Sequence, residues 1–297
     1  MRWLKTCAVR WYQRAVYWLG LLRWRNPSVC SNQETLDLLS SGSDSLSRFG
    51  DGELRCVMGE DICFQKADPR LTARLREILG SDEPGLLVGL PEYLHGPVNY
   101  TEARRRDWAA FHREYRHLWL RYLRKGRRYV SASVTRPYMA RTGKSDCGPF
   151  FEQWKRLWQD QDLVVIEGEQ SRLGLRNDFF APARSVRRIL CPPSDAFDAY
   201  DAILAAAAGM EKTALLLIAL GPAATVLACD LHRLGFRALD VGSIDIEYDW
   251  FRTGAVAWDP VPGKYIHDAG EAGTIVGPAD DPAYEAQIIA RISRREG

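Results

Sequence analysis

The chain reads as an α/β protein with a Rossmann-like, doubly wound and mostly parallel sheet, preceded by an N-terminal helical arm. Three observations predict this. Strand-like and helix-like segments alternate from about residue 45 to residue 252. Ala214–Leu220 is an unbroken apolar run, the pattern of a parallel strand covered on both faces. Residues able to do chemistry follow directly after the strand-like runs, where this architecture places its ligand site.

The elements follow in order. Asn26-Pro27 ends the arm, and the Ser-rich stretch Ser40 to Ser45 reads as a loop. Leu46–Phe49 is a candidate strand. Pro69 opens a helix in which Leu71, Leu75, Ile78 and Leu79 make one buried stripe. Leu86–Leu90 is a strand stopped by Pro91. Thr101–Gly126 is a long helix whose aromatic stripe (Trp108, Phe111, Tyr115, Trp119, Tyr122) reads as core rather than as a ligand box. Strand Tyr129–Val134, helix Phe150–Trp158, strand Leu163–Ile166 and strand Val186–Leu190 come next. The alanine-rich helix Ala196–Gly209 leads to the Ala214–Leu220 strand, helix Ala223–Leu234 and strand Ala238–Val241. Thr253–Pro282, rich in Gly, Pro and Asp, reads as a lid or surface loop, and Ala283–Arg295 as a terminal helix. The expected organisation is therefore an arm over 1–44, a main domain over 45–252 and a C-terminal loop and helix over 253–297.

Bulk composition excludes several classes. At 297 residues with 46% hydrophobic and 26% charged residues, the chain is long enough for one large α/β domain with appendages. A net charge of +2 gives no argument for nucleic acid as partner. Seven cysteines without a CxxC pair, and five histidines without HxH or HExxH, argue against a disulfide framework and a zinc enzyme, and fit a reducing cytoplasm. Charge is uneven, however. Arg2, Lys5, Arg10, Arg14, Arg23 and Arg25 precede the first acidic residue, Glu34, and share the arm with Trp3, Trp11, Trp18 and Trp24. The longest apolar run there, Ala15–Leu22, is far short of the ~20 residues that cross a bilayer, and no small-residue cleavage site follows it. Peripheral contact of residues 1–25 with an anionic membrane and a plain docking helix are equally good readings.

Chemistry gathers at five places. Ser47–Glu53 reads SRFGDGE, a strand-like run ending in two carboxylates. In extended backbone, Asp51 and Glu53 leave the same face, so they converge on one object; hard oxygen ligands at that spacing suit Mg²⁺ or Mn²⁺ shared with substrate phosphates. Arg48, in the same run, is a phosphate candidate although an ideal strand sends it to the opposite face. Strand Tyr129–Val134 ends in Thr135, Arg136 and Tyr138; strand Leu163–Ile166 runs into Glu169, Arg172, Asn177 and Asp178. Ala214–Leu220 runs into Gly221, Pro222 and, one turn on, Thr225, a helix start whose free N–H groups suit an anion. Ala238–Val241 is followed by Asp245, Glu247 and Asp249. Singly each is a turn, a surface ion pair or a solvated edge. Together, carboxylates for a cation, arginines for phosphate and a helix N-terminus describe a metal–diphosphate site.

The runs SRFGDGE, TRPY, EGEQSRLGLRNDFF, LGPAATVLACDL and DVGSIDIEYDWF, in this order over about Ser45 to Arg252, resemble the bacterial GT-D-fold glycosyltransferases, which carry an Asp-X-Glu metal motif. The resemblance implies a GT-D-type sheet and a hexosyltransferase of polysaccharide biosynthesis. It would move a hexose from a nucleotide diphosphate sugar, a UDP-sugar first, to a glycan or glycolipid acceptor, with Asp51 and Glu53 holding the cation. One departure is Ser243, which stands where relatives are expected to have histidine. Arg48, Thr135, Arg136, Arg172, Asn177, Asp178, Gly221, Pro222 and Thr225 are the candidates to hold the donor. Glu247, then Asp245, then Glu169 are the candidates for a base acting on the acceptor hydroxyl. Two alternatives stand beside this: a nucleotidyl or phosphoryl transferase using the same site, and a non-catalytic, membrane-docked assembly subunit.

Overall fold

The structure, a computed structural model, describes residues 27–94 and 99–294. Among them nine strands form one sheet: β1 (Ser28–Val29), β2 (Ser45–Arg48), β3 (Leu86–Leu90), β4 (Arg128–Ser131), β5 (Asp162–Gly168), β6 (Ser185–Cys191), β7 (Leu215–Ala219), β8 (Arg237–Asp240) and β9 (Ile288–Arg291). Their order is β1-β4-β3-β2-β8-β7-β5-β6-β9, and every pairing is parallel. From β2 the chain steps outward through β3 to β4; from the other half, β7 and β8 step back toward β2. The two halves meet where Leu46 of β2 pairs with Leu239 of β8. Connections diverge at that boundary, so a crevice opens beyond the carboxyl ends of the strands.

Period-2 side-chain alternation explains the two cores. Val164 and Ile166 of β5, with Leu216 and Ile218 of β7, pack on one face under helices Pro69–Gly80, Tyr200–Ala208 and Pro222–Arg233. Leu163 and Val165, with Leu215 and Leu217, pack on the other under helices Asn32–Ser41, Cys147–Leu157 and Ile244–Thr253. The Pro69 helix forms as expected. Asp68 caps it by accepting from the Leu71 N–H at 2.9 Å, and Leu71, Leu75, Ile78 and Leu79 are fully buried. The long helix runs from Glu102 to Trp119, capped by Thr101.

Four expectations are corrected. Strand β2 stops at Arg48, and Asp51–Val57 is a helix; Gly50 is its N-cap, in extended backbone. Asp245, Glu247 and Asp249 do not trail a strand but lie on the helix Ile244–Thr253. Ala283–Arg295 is not a helix: a short helix Pro282–Ala286 gives way to β9, which pairs with β6. Residues 28–41, read as arm, belong to the fold, because β1 pairs with β4 and Leu36 and Leu39 enter the core. The Trp- and Arg-rich residues 1–25 lie outside the described residues. Among the described residues no helix is long and apolar enough to cross a membrane.

Candidate active site

A cleft of about 620 Å³ opens along the carboxyl ends of β2 to β8. Arg48, Pro91, Ala132, Gly168, Pro192, Gly221 and Gly242, each at or just after a strand end, supply its rim. Its floor is the Gly50-Asp51-Gly52-Glu53 turn at the β2/β8 boundary. Two acidic residues in the first helical turn suit the positive end of the helix dipole, which is why this segment coils immediately after Gly50. On a helix, positions two apart point about 200° from each other. The carboxylates therefore do not leave one face as the strand reading required. Glu53 turns back and accepts the Gly50 N–H at 2.8 Å, while Asp51 stays exposed and takes no hydrogen bond among the described residues. Burial, and then the nearby Asp240 carboxylate, push Glu53 up to about 7 against the opposing pull of Arg48.

Arg48 reaches this floor despite its strand position. Its Nη2 donates to Asp240 Oδ1 at 2.6 Å and its Nε to the Asp240 carbonyl at 2.7 Å, tying β2 to β8 beneath the cleft. Arg136 stands on the opposite wall and pairs with Asp268 at 2.5 Å. Desolvation alone would lower Arg136, but Asp268, Glu247 and Asp51 outweigh it and hold the guanidinium firmly charged. Gly221 lines the cleft at φ +54, and a Cβ there would come 2.8 Å from Phe64. The turn offers fewer amides than the sequence suggests, since Pro222 has none and the Ala224 N–H is committed to the Gly221 carbonyl at 2.9 Å. Ser243 lines the cleft as well.

The remaining sequence candidates are placed elsewhere. Glu247 is fully buried and accepts from the Tyr138 and Met139 N–H groups at 2.8 and 2.9 Å. Asp245, also fully buried, shares Lys264 with Asp249, and Asn177 bridges both carboxylates at 2.7 and 3.0 Å. Positions 245 and 249 are one helical turn apart, so both face one lysine. Asp178 binds Lys155 and Tyr248. Glu169 is exposed and pairs with Arg291 at 2.9 Å. Arg172 donates to the carbonyls of Gly263 and Gly277, tethering the C-terminal segment. Thr225 is buried and donates to the Arg48 carbonyl at 2.8 Å; Thr135 is buried outside the lining. These side chains build the walls without facing the cleft.

Several lining residues escape a sequence reading. Tyr265, Ile266, His267 and Asp268 come from the stretch read as a loop, carried in by Lys264 and by the Tyr265 N–H on the Gln170 carbonyl at 2.8 Å. Arg104 and Trp108 come from the long helix, whose first turns border the cleft while the aromatic stripe, Trp108 included, stays buried in the core. The only sequence signal for them is position: the helix begins directly beyond β3.

Asp51 and Glu53 remain hard oxygen donors of the kind that suits Mg²⁺ or Mn²⁺, although the helix turns them to different faces. Asp51 has a carboxylate free of hydrogen bonds among the described residues, and Glu53 has one oxygen left over. Among the described residues no third His, Cys, Asp or Glu completes a metal-binding group, so phosphate and water oxygens would fill the shell.

Comparison with known proteins decides the family. The family described as "Glycosyltransferase GT-D fold" matches residues 46–269. The chain belongs to the GT-D-fold glycosyltransferases. A solved structure of the domain of unknown function 1792, described as a distinct glycosyltransferase fold, superimposes with a TM-score of 0.86 at 33% identity, covering 93% of this chain and 99% of that one. A second, described as a new glycosyltransferase from Streptococcus sanguinis, gives 0.82 at 38% identity over 90% of this chain and 99% of that one. Among curated proteins, "Probable glycosyl transferase Gly" of Streptococcus gordonii is 37% identical over 273 residues, 91% of this chain and 39% of the relative. "Glycosyltransferase GlyD" of Streptococcus pneumoniae serotype 4 is 34% identical over 262 residues, 87% of this chain and 32% of the relative. The chain thus spans about a third to two-fifths of the length of the curated relatives it matches. The GT-D match runs past residue 252 and takes in the Tyr265–Asp268 wall.

Proposed function

We propose that this GT-D cleft transfers a hexose from a nucleotide diphosphate sugar, with UDP-sugars the first class to test, to a hydroxyl of a glycan or glycolipid. The observation that carries this reading is the composition of the cleft floor. The Asp51 and Glu53 carboxylates sit at the sheet's switch point, and Arg136 and the helix start at Gly221 line the same cleft. Asp51 and Glu53 would hold a Mg²⁺ or Mn²⁺, which as a Lewis acid would offset charge on the diphosphate. Arg136 places a fixed positive charge where negative charge grows as the sugar leaves. Arg48 orders the floor by locking Asp240 and by donating from Nη1 to the Ala132 carbonyl at 3.3 Å, and it lines the cleft. The narrow approach at Gly221 and Phe64 shapes the donor pocket.

The test is a calorimetric titration of UDP with and without Mn²⁺, beside UDP release from a panel of UDP-sugars. Binding should require the metal, and Asp51→Asn should abolish this metal-dependent binding together with turnover while leaving the circular dichroism spectrum unchanged. UDP that binds equally well without metal, or full activity in Asp51→Asn, would refute the metal role. Release of UMP rather than UDP would instead identify a phosphoryl or nucleotidyl transfer.

A further inference from the structure

Glycosyl transfer with inversion needs a carboxylate able to take the acceptor's proton, and burial removes Glu247 and Asp245 from that task. Among the described residues four carboxylates line the cleft: Asp51, Glu53, Asp61 and Asp268. The first two form the floor. Asp61 is engaged in its own loop, accepting the Ala67 N–H at 2.7 Å. Asp268 remains, 38% exposed, with Oδ2 on Arg136 and Oδ1 free of hydrogen bonds among the described residues.

Its surroundings are those of a sugar site. Arg104 lines the same cleft, its guanidinium 5.0 Å above the ring of the buried Trp108, and its charge is felt at Asp268. His267, the neighbouring residue, meets Phe64 edge-on at 5.8 Å. Aromatic edges beside a carboxylate offer a pyranose both a surface for its C–H face and an acceptor for its hydroxyls. Arg136 feels the charges of both Asp268 and Asp51. The turn is held rigidly from below: Lys264, four residues earlier, is anchored by two buried aspartates.

Resting on the glycosyl-transfer reading above, we propose that Asp268 is the catalytic base, in an acceptor subsite formed with Arg104, His267 and Phe64. The acceptor oxygen bonds to the anomeric carbon as its proton passes to Asp268. The bond from that carbon to the diphosphate oxygen breaks, and its electron pair leaves with the nucleoside diphosphate. Arg136 links the two substrates. In the free protein it pairs with Asp268 and holds that carboxyl low against the opposing effect of burial. A donor diphosphate competes for the same guanidinium, which frees the carboxylate and raises its proton affinity once the donor is in place.

The experiment uses the full chain with Mn²⁺, UDP-glucose, UDP-galactose and UDP-N-acetylglucosamine, water as acceptor, and sodium azide as a nucleophile with no proton to lose. Asp268→Asn should lower UDP release to water by ~10²-fold or more, as for loss of a general base. It should bind UDP at least as tightly as wild type, since Arg136 loses its competing carboxylate, and azide should restore release; Asp268→Glu should recover part of the water reaction. The acidic limb of the wild-type pH profile should vanish in Asp268→Asn. Turnover within tenfold of wild type in Asp268→Asn, or normal UDP binding without azide rescue, would overturn the assignment of Asp268 alone. A wild-type protein that neither binds UDP nor releases it from any of these donors would sink the donor reading and this inference with it.

Discussion

Single side chains decide how well the cleft floor is held. Gly242 follows β8 at φ +48, and a Cβ there would sit 2.3 Å from Arg48 Nη2. Gly242→Ala should therefore displace the guanidinium from Asp240 and strain the backbone, lowering stability by about 1–3 kcal/mol in urea titrations and weakening UDP binding in parallel. His112 tells a different story. It is buried among the rings of Tyr93, Trp108, Phe111 and Trp119, and its Nε2 has no partner among the described residues. Burial first, then Arg116, push it down to about 4. Between pH ~6.5 and about 4 the unfolded chain takes up a proton there that the folded chain refuses. Stability should thus fall as pH drops through that window, by up to about 3 kcal/mol from this group. His112→Leu should flatten the acid limb of a stability-versus-pH curve; an unchanged limb would show the histidine to be paired. Residue type pointed to the Asp51–Glu53 pair from the sequence, yet the direction of each carboxylate did not, because a capped first turn and an extended strand differ by only a few backbone angles.

At the scale of elements, the helix Ile244–Thr253 and the segment after it act as one unit. Asp245 and Asp249 face inward together, and Lys264 crosses from the C-terminal segment to join them. Lys264→Met would leave two carboxylates buried without their counter-charge, costing about 3–5 kcal/mol. It would also release the turn bearing His267 and Asp268. The expected outcome is a lowered Tm and a loss of turnover greater than the loss of UDP affinity; an unchanged Tm would contradict the anchoring role. The acidic spacing at 245, 247 and 249 was visible in the sequence, but its partner lies 15–19 residues further on, in a stretch without periodicity. Local pattern cannot show which distant lysine fills such a gap. The same limit applies to β9, whose four residues pair with β6 across a separation of about a hundred positions.

For the whole molecule, the parallel sheet places every loop with chemistry on one rim, while β1 and the start of β4 lie at the opposite, amino-terminal edge. The arm joins the fold at that edge, since residue 27 directly precedes β1. Deleting Met1–Arg25 should then weaken binding to anionic vesicles and leave UDP release intact; unchanged vesicle binding would refute a membrane role for the arm. The sequence by itself determined the fold class, most of the strands and helices between Leu46 and Val241, and the family, because apolar periodicity and short ordered motifs are local properties of the chain. Only the tertiary structure decided which acidic and basic residues face the cleft and which are buried in its walls. It also brought Asp268 and its turn to the rim. Those outcomes depend on contacts between segments far apart in sequence, where burial and charge pairing, not local pattern, choose the partner.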